Sequence, residues 1–319
     1  MLTSERELRK ESEEHGYRAE ILEKVYRLLE LTDDFMNVPY LRERLALKGG
    51  TAINLFCSEH LPRLSVDLDF NYIGSLDRDL MKKEKLEIEN IILNICQRRR
   101  YQLHRNPRAH AGGKMVLVFP GILGNKGRLE IDLNYIFRIP LWPIEWRSSP
   151  DWPKRTEISI LNIHELAAGK LHALLGREAS RDLFDSHRLL TEWLLDRQKL
   201  RLAFTVYAGM EQDHWQRIHP DNIKFTVKDI RDKLIPVLQK NISPFTKADA
   251  IESWANQLMQ ETKAALNAVL PFSEEEKAFL DCLKHHGEIK PEFICADDNF
   301  CERVKMHPSL LWRIQQNKK

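Results

Sequence analysis

Asp67 and Asp69 lie two residues apart in RLSVDLDF, residues 63–70. The stretch alternates strictly, with Leu64, Val66, Leu68 and Phe70 on one side and Ser65, Asp67 and Asp69 on the other, which predicts a strand. Carboxylates at i and i+2 of a strand share a face, about 6–7 Å apart at the backbone. That spacing suits hard divalent cations that also bind the oxygens of a triphosphate. Charged residues on one strand face are more often only its solvent side, so the pair alone decides little.

A second segment, RLEIDLN at 128–134, repeats the pattern, with Glu130, Asp132 and Asn134 between apolar residues. If this strand lies beside the first, a third carboxylate faces the same site. Asp132 is the first choice and Glu130 the reserve. Three carboxylates on neighbouring strands suit in-line displacement at phosphorus, two holding metal and the third lowering the pKa of an attacking hydroxyl.

Upstream stands LKGGTAINLF, residues 47–56. A Gly-Gly turn ahead of a helix bares backbone N–H groups and lets a phosphate approach without a Cβ in its way. Gly49, Gly50 and Thr51 are the expected phosphate contacts, with Ser65 assisting. Lys48 precedes the turn and either contacts phosphate or points away. In IHELAAGKLHALLGREASRDLFDSHRLL, residues 163–190, Lys170, Arg177 and Arg181 fall within roughly 20° of one line on a continuous helix. The plain reading is a basic surface helix; the functional one is a cationic arm over a triphosphate, with Lys170 as the contact. Gly176 and Ser180 are positions where that helix could break. An aspartate here, Asp182 or Asp185, would orient Arg181 or Lys170.

These three motifs, in this order over about residues 20–200, resemble the AbiEii/AbiGii-type nucleotidyltransferase toxins, within the polymerase-β-like nucleotidyltransferase superfamily. The resemblance implies an α/β (α+β) fold: a nucleotidyltransferase domain with a small mixed sheet, then an all-helical domain. It implies transfer of a nucleoside monophosphate from an NTP, with Mg2+ or Mn2+, to an acceptor hydroxyl with release of pyrophosphate. RNA, such as the tRNA 3′ end, is a plausible acceptor in relatives. It further implies a toxin of a bacterial toxin–antitoxin or abortive-infection system with a cognate antitoxin. By the motif, Asp182 is the functional aspartate ahead of Asp185. A nucleotide-sugar glycosyltransferase also uses paired aspartates, but needs neither the glycine pair nor the Lys170 segment. A degenerate nucleotidyltransferase that only binds nucleotide or a partner is the third reading, opposed by the intact Asp67, Asp69 and Asp132.

The elements that must position these residues follow from periodicity. Helices are predicted over 5–31 (with Gly16 a possible divider), 51–60, 80–97, 163–176, 180–198, 225–240, 248–268 and 273–285, the last opened by a Ser273–Glu276 capping box. Strands are predicted over 64–70, 115–119 and 128–136. A segment with four prolines and three tryptophans near 140–156 suits a boundary, giving domains 1–155 and 156–319.

At 319 residues, with 43% hydrophobic and 30% charged, the chain can bury a substantial core. No apolar run approaches a membrane span, and the charged N-terminus has no signal-peptide centre. Five scattered cysteines (57, 96, 282, 295, 301) without a CxxC pair argue for reduced thiols in a cytoplasm. The net charge of +2 points to no partner, but its distribution is uneven. From Asn90 to Leu129 there is no acid, while Arg98, Arg99, Arg100, Arg105, Arg108, Lys114, Lys126 and Arg128 fall within it. This is either a solvated basic face or a surface for nucleotide phosphates or a nucleic-acid backbone. His164, His172 and His187 are expected to be structural, as are Cys57 and Cys96. Trp142, Trp146 and Trp152 are expected to pack at the domain junction.

Overall fold

The computed structural model describes residues 4–106, 111–211, 215–242 and 248–317. The chain divides into two compact units, Met1–Arg138 with Ile144–Leu161 and Pro236–Pro244, and Ile139–Pro143 with Asn162–Ile235 and Phe245–Lys319.

The first unit is built on a seven-stranded mixed sheet. Its strands are β1 (Leu45–Lys48), β2 (Asp67–Tyr72), β3 (Gln102–Arg105), β4 (Gly112–Pro120), β5 (Lys126–Asn134), β6 (Glu145–Ser148) and β7 (Glu157–Ile160), in the order β3-β4-β5-β2-β1-β7-β6. β2 runs parallel to β5 and β1 parallel to β7; every other pair is antiparallel. The alternation read from sequence governs the faces. Leu68, Phe70, Leu129, Ile131 and Leu133 are buried, while Asp67, Asp69, Glu130 and Asp132 are half-exposed on the other side.

Helices α1 (Glu5–His15) and α2 (Ala19–Met36) are indeed divided at Gly16, whose φ of 72° ends α1 in the left-handed conformation that glycine tolerates. Ser4 caps α1 by accepting from the Glu7 amide. α2 lays Leu28, Leu29 and Phe35 against the apolar sheet face, Phe35 meeting Phe70 edge-on with ring centroids 6.3 Å apart. A short turn, α3 (Pro39–Arg42), leads into β1. After β1 the chain forms one helical turn, α4 (Gly49–Thr51), continuing with π-type bonding over Ala52–Cys57, so this helix ends three residues before the predicted His60. α5 (Arg78–Arg98) is capped by Asp77.

β2 starts at Asp67, later than the alternation predicts. The reason is competition for backbone partners. The Leu64 amide donates to the Val237 carbonyl at 2.8 Å and Arg63 bridges Leu238, so the first half of the motif pairs elsewhere in the same unit.

Among the described residues the second unit is helical throughout. α6 (Ile163–Gly176) and α7 (Ser180–Thr191) follow prediction at their starts. α7 stops at Thr191 rather than 198, because Asp196 accepts from the Gln198 and Lys199 amides and opens a separate helix, α8 (Arg197–Met210). The helix predicted over 225–240 is a series of short turns, Val227–Asp229, Ile230–Leu234 and Ile235–Val237. Pro236 supplies no N–H and cannot sit in a helix interior. The capping box at Ser273 and Glu276 is present in full. No described helix is long and apolar enough to cross a membrane.

Candidate active site

Register brings the carboxylates together. On the parallel β2–β5 pair, Asp67 stands opposite Glu130 and Asp69 opposite Asp132. The row extends to both neighbours, Lys48 of β1 opposite Asp69 and Lys114 of β4 opposite Asp132. Strands are spaced about 4.8 Å apart, so Lys48, Asp69, Asp132 and Lys114 form a line across four strands, two aspartates flanked by a lysine at each end.

Glu130 and Asp132 differ in their partners. Glu130 accepts from Lys114 Nζ at 2.6 Å and meets Arg128 Nη2 at 3.2 Å. Burial would raise its pKa, but these two cations hold its carboxyl below the usual glutamate range. Lys114 is raised in turn, first by the hydrogen bond to Glu130, which outweighs its desolvation, and further by the charges of Glu130, Asp67 and Asp69. Lys114 is therefore electrostatically part of the cluster. In the sequence it stands only as one of the cations of the basic stretch, because a lone lysine on a strand carries no spacing signal.

Gly49 is fitted to Asp69. Its φ is 72°, and a Cβ placed on it would lie 2.5 Å from Asp69 Oδ2 and 3.2 Å from Cγ. Gly50 has no such backbone demand; its carbonyl accepts from Asn54 Nδ2 at 2.9 Å. Thr51 is fully buried. Its hydroxyl donates to the Asp67 carbonyl and lies 3.0 Å from Ser65 Oγ, which is itself buried. These two hydroxyls, expected at the phosphates, are thus directed inward, where they tie the helix after β1 to the first residue of β2.

The second unit holds its own polar cluster. Lys170 Nζ lies 2.8 Å from Asp182 Oδ1 and 3.1 Å from Asp185 Oδ2, all three side chains buried. Arg177 Nε reaches Asp182 Oδ2 at 2.7 Å. Burial alone would raise the Asp182 carboxyl, but Lys170 and Arg177 hold it below the usual aspartate range. The three cations do not share one helix line, because α6 ends at Gly176 and α7 begins at Ser180. Lys170 and Arg177 are gathered instead around α7 acids, with both Asp182 and Asp185 engaging Lys170. Arg181 lies in the first turn of α7.

Other predicted residues separate from these clusters. Arg99 is held by Asp34 at 2.6 and 2.8 Å, and Arg108 lies outside the described residues. His172 is buried against Phe204, with Nε2 2.8 Å from its carbonyl, and burial lowers its pKa to about 4. Burial raises both the Cys57 and Cys96 thiols to about 12. Trp142 packs on Phe300 and Trp152 on His15, while Trp146 is partly exposed beneath the Arg42 guanidinium.

The aspartates supply hard oxygen donors, which fit Mg2+ or Mn2+ in chemistry. Among the described residues, no group of three or more His, Cys, Asp or Glu is disposed to hold a metal ion.

A family model described as "Nucleotidyl transferase AbiEii toxin, Type IV TA system" matches residues 33–284. The solved structure of MenT4, a nucleotidyltransferase toxin from Mycobacterium tuberculosis H37Rv, aligns with a TM-score of 0.59 at 14% identity, covering 97% of this chain and 99% of that one. At that identity the likeness concerns the fold. No curated protein sequence matches.

Proposed function

Given that the chain belongs to the AbiEii nucleotidyltransferase toxin family, we propose that it moves a nucleoside monophosphate from an NTP to an acceptor hydroxyl on RNA. The acceptor oxygen bonds to the α-phosphorus, the bond from that phosphorus to the bridging oxygen breaks, and pyrophosphate leaves carrying the electron pair. The observation that carries this reading is the register Asp69↔Asp132 beside Gly49. It sets two carboxylates flush on one sheet face and brings a helix-opening backbone against one of them.

In this reading Asp67 and Asp69 are the pair that would hold Mg2+ or Mn2+. Bound there, the ion supplies charge neutralisation for the triphosphate and acidifies a nearby hydroxyl. Asp132, whose neighbour Glu130 is engaged by Lys114 and Arg128, would take the acceptor proton. Backbone N–H groups at Gly49 and Gly50 would receive phosphate oxygens, with Lys48 at the edge. Lys170, which Asp182 and Asp185 orient, would be a phosphate contact together with Arg177 and Arg181. The family implies a bacterial toxin with a cognate antitoxin.

The test is incubation of the purified chain with Mg2+ or Mn2+, each α-labelled NTP in turn, and total cellular RNA or protein. Label entering RNA, with stoichiometric pyrophosphate, is expected. Label entering neither pool with either metal would overturn the reading.

A further inference from the structure

The carboxylate face does not end at Asp132. Side chains alternate along β5, so Lys126, Arg128, Glu130 and Asp132 share that face. At about 3.3 Å per residue, Arg128 lies roughly 13 Å and Lys126 roughly 20 Å along the strand from Asp132. β3 extends the patch sideways, with Gln102 registered on Val118 and Arg105 on Val116, the residues opposite Arg128 and Glu130. Gln102, His104, Arg105, Lys126 and Arg128 are exposed. An open groove of about 440 Å³ lies at this end, lined by Gln102, His104, Lys126 and Arg128 among others.

Three features of this strip point to a polyanion. No acid occurs from Asn90 to Leu129, and the first one met, Glu130, is already engaged by Lys114 and Arg128. The strip runs too far from Asp67 and Asp69 to serve the phosphates of one bound nucleotide; 20 Å corresponds to roughly six stacked nucleotides of a strand. It also leads along one strand to the carboxylates, where an acceptor hydroxyl has to arrive. An exposed imidazole, His104, beside the cations offers a base something to stack on.

We infer that the β3–β5 end of this face is the acceptor seat, binding single-stranded RNA through Arg105, Lys126 and Arg128, with His104 against a base and the terminal hydroxyl directed along β5 to Asp132. The inference rests on the nucleotidyl-transfer reading and gives its acceptor a place and a chemistry.

The test uses the full chain carrying Arg105→Glu with Lys126→Glu, both exposed, against wild type. An Arg78→Glu/Lys83→Glu variant on α5 gives the same change of net charge elsewhere. Binding of a fluorescent single-stranded 20-nucleotide RNA is measured over a salt series, and binding of Mg·NTP separately. The strip variant is expected to lose tenfold or more in RNA affinity. Its slope of log affinity against log salt should flatten by about 1.4, two contacts at about 0.7 each. Mg·NTP binding and the α5 variant should behave as wild type. RNA affinity within twofold of wild type, or an equal loss in the α5 variant, would overturn the inference. So would a wild type that labels protein and binds no RNA. Salt-dependent RNA binding lost in the strip variant, with no nucleotide transfer by wild type to any acceptor, would instead leave the surface standing and remove the transfer reading.

Discussion

The Gly49 backbone and the Asp69 carboxylate are fitted so closely that a single methyl group on Gly49 would lie 2.5 Å from Asp69 Oδ2. Gly49→Ala therefore carries two penalties. One is about 1–2 kcal/mol for a side chain in the left-handed region; the other is displacement of a carboxylate from its row. Nucleotide transfer should fall at least tenfold with a modest loss of thermal stability. Gly50→Ala, which has no positive φ, should be milder in both. Parallel melting curves and single-turnover rates decide it, and equal effects at the two glycines would count against the Asp69 fit.

Asp67→Asn and Asp69→Asn should each cost about 10²–10³-fold in transfer, matching a loss of roughly 3–4 kcal/mol of charge stabilisation, with melting temperature little changed. Glu130→Gln should cost much less than Asp132→Asn, because Glu130 is engaged by Lys114 and Arg128. A Glu130 variant as inactive as the Asp132 one would reverse that assignment.

Breaking the buried Lys170–Asp182 pair should unfold rather than merely inactivate. Lys170→Ala removes the buried cation that Asp182 and Asp185 share, and loss of one partner of such a pair costs about 3–5 kcal/mol. An unfolding free energy lower by that amount, from denaturant titration, is expected. Its pH dependence has a definite sign. The folded Asp182 pKa is depressed, so its contribution is complete above the unfolded value near 3.8 and is lost as pH falls through the lower folded value. Wild type should therefore lose this increment only in strong acid.

Glu165 on α6 gives the opposite sign. It is buried, accepts from the Leu141 amide at 2.9 Å and from the Tyr207 hydroxyl at 3.3 Å, and burial raises its pKa to about 8. The unfolded chain ionises this group near 4.5, so folding stability should decline as pH rises from about 4.5 towards 8. Glu165→Gln keeps the acceptor oxygen and should flatten that decline. Melting temperatures from pH 5 to 9 for both proteins provide the check, and parallel slopes would reject it.

The carboxylate face was legible because β2 and β5 alternate cleanly, so Asp69 and Asp132 announce both their strand and their side. Other features depended on partners distant in sequence. Nothing local says that Thr51 turns inward to Ser65, or that Leu64 pairs with Val237 and delays β2. β1, β6 and β7 are four residues each, too short for a period to show. Pro236 and the Asp196 cap were local signals for the breaks after 191 and within 225–240, and helical periodicity masked them. Lys114 joined the cluster only once β4 was registered against β5.

The Lys48–Asp69–Asp132–Lys114 row has one more consequence. Its signs run plus, minus, minus, plus, which makes it a linear quadrupole rather than a patch of negative charge. Such a field fades with distance faster than that of two bare carboxylates, so an approaching triphosphate meets little repulsion from afar and feels the aspartates only on arrival. Long-range attraction is left to exposed cations such as Lys126 and Arg105 at the far end of the same sheet face.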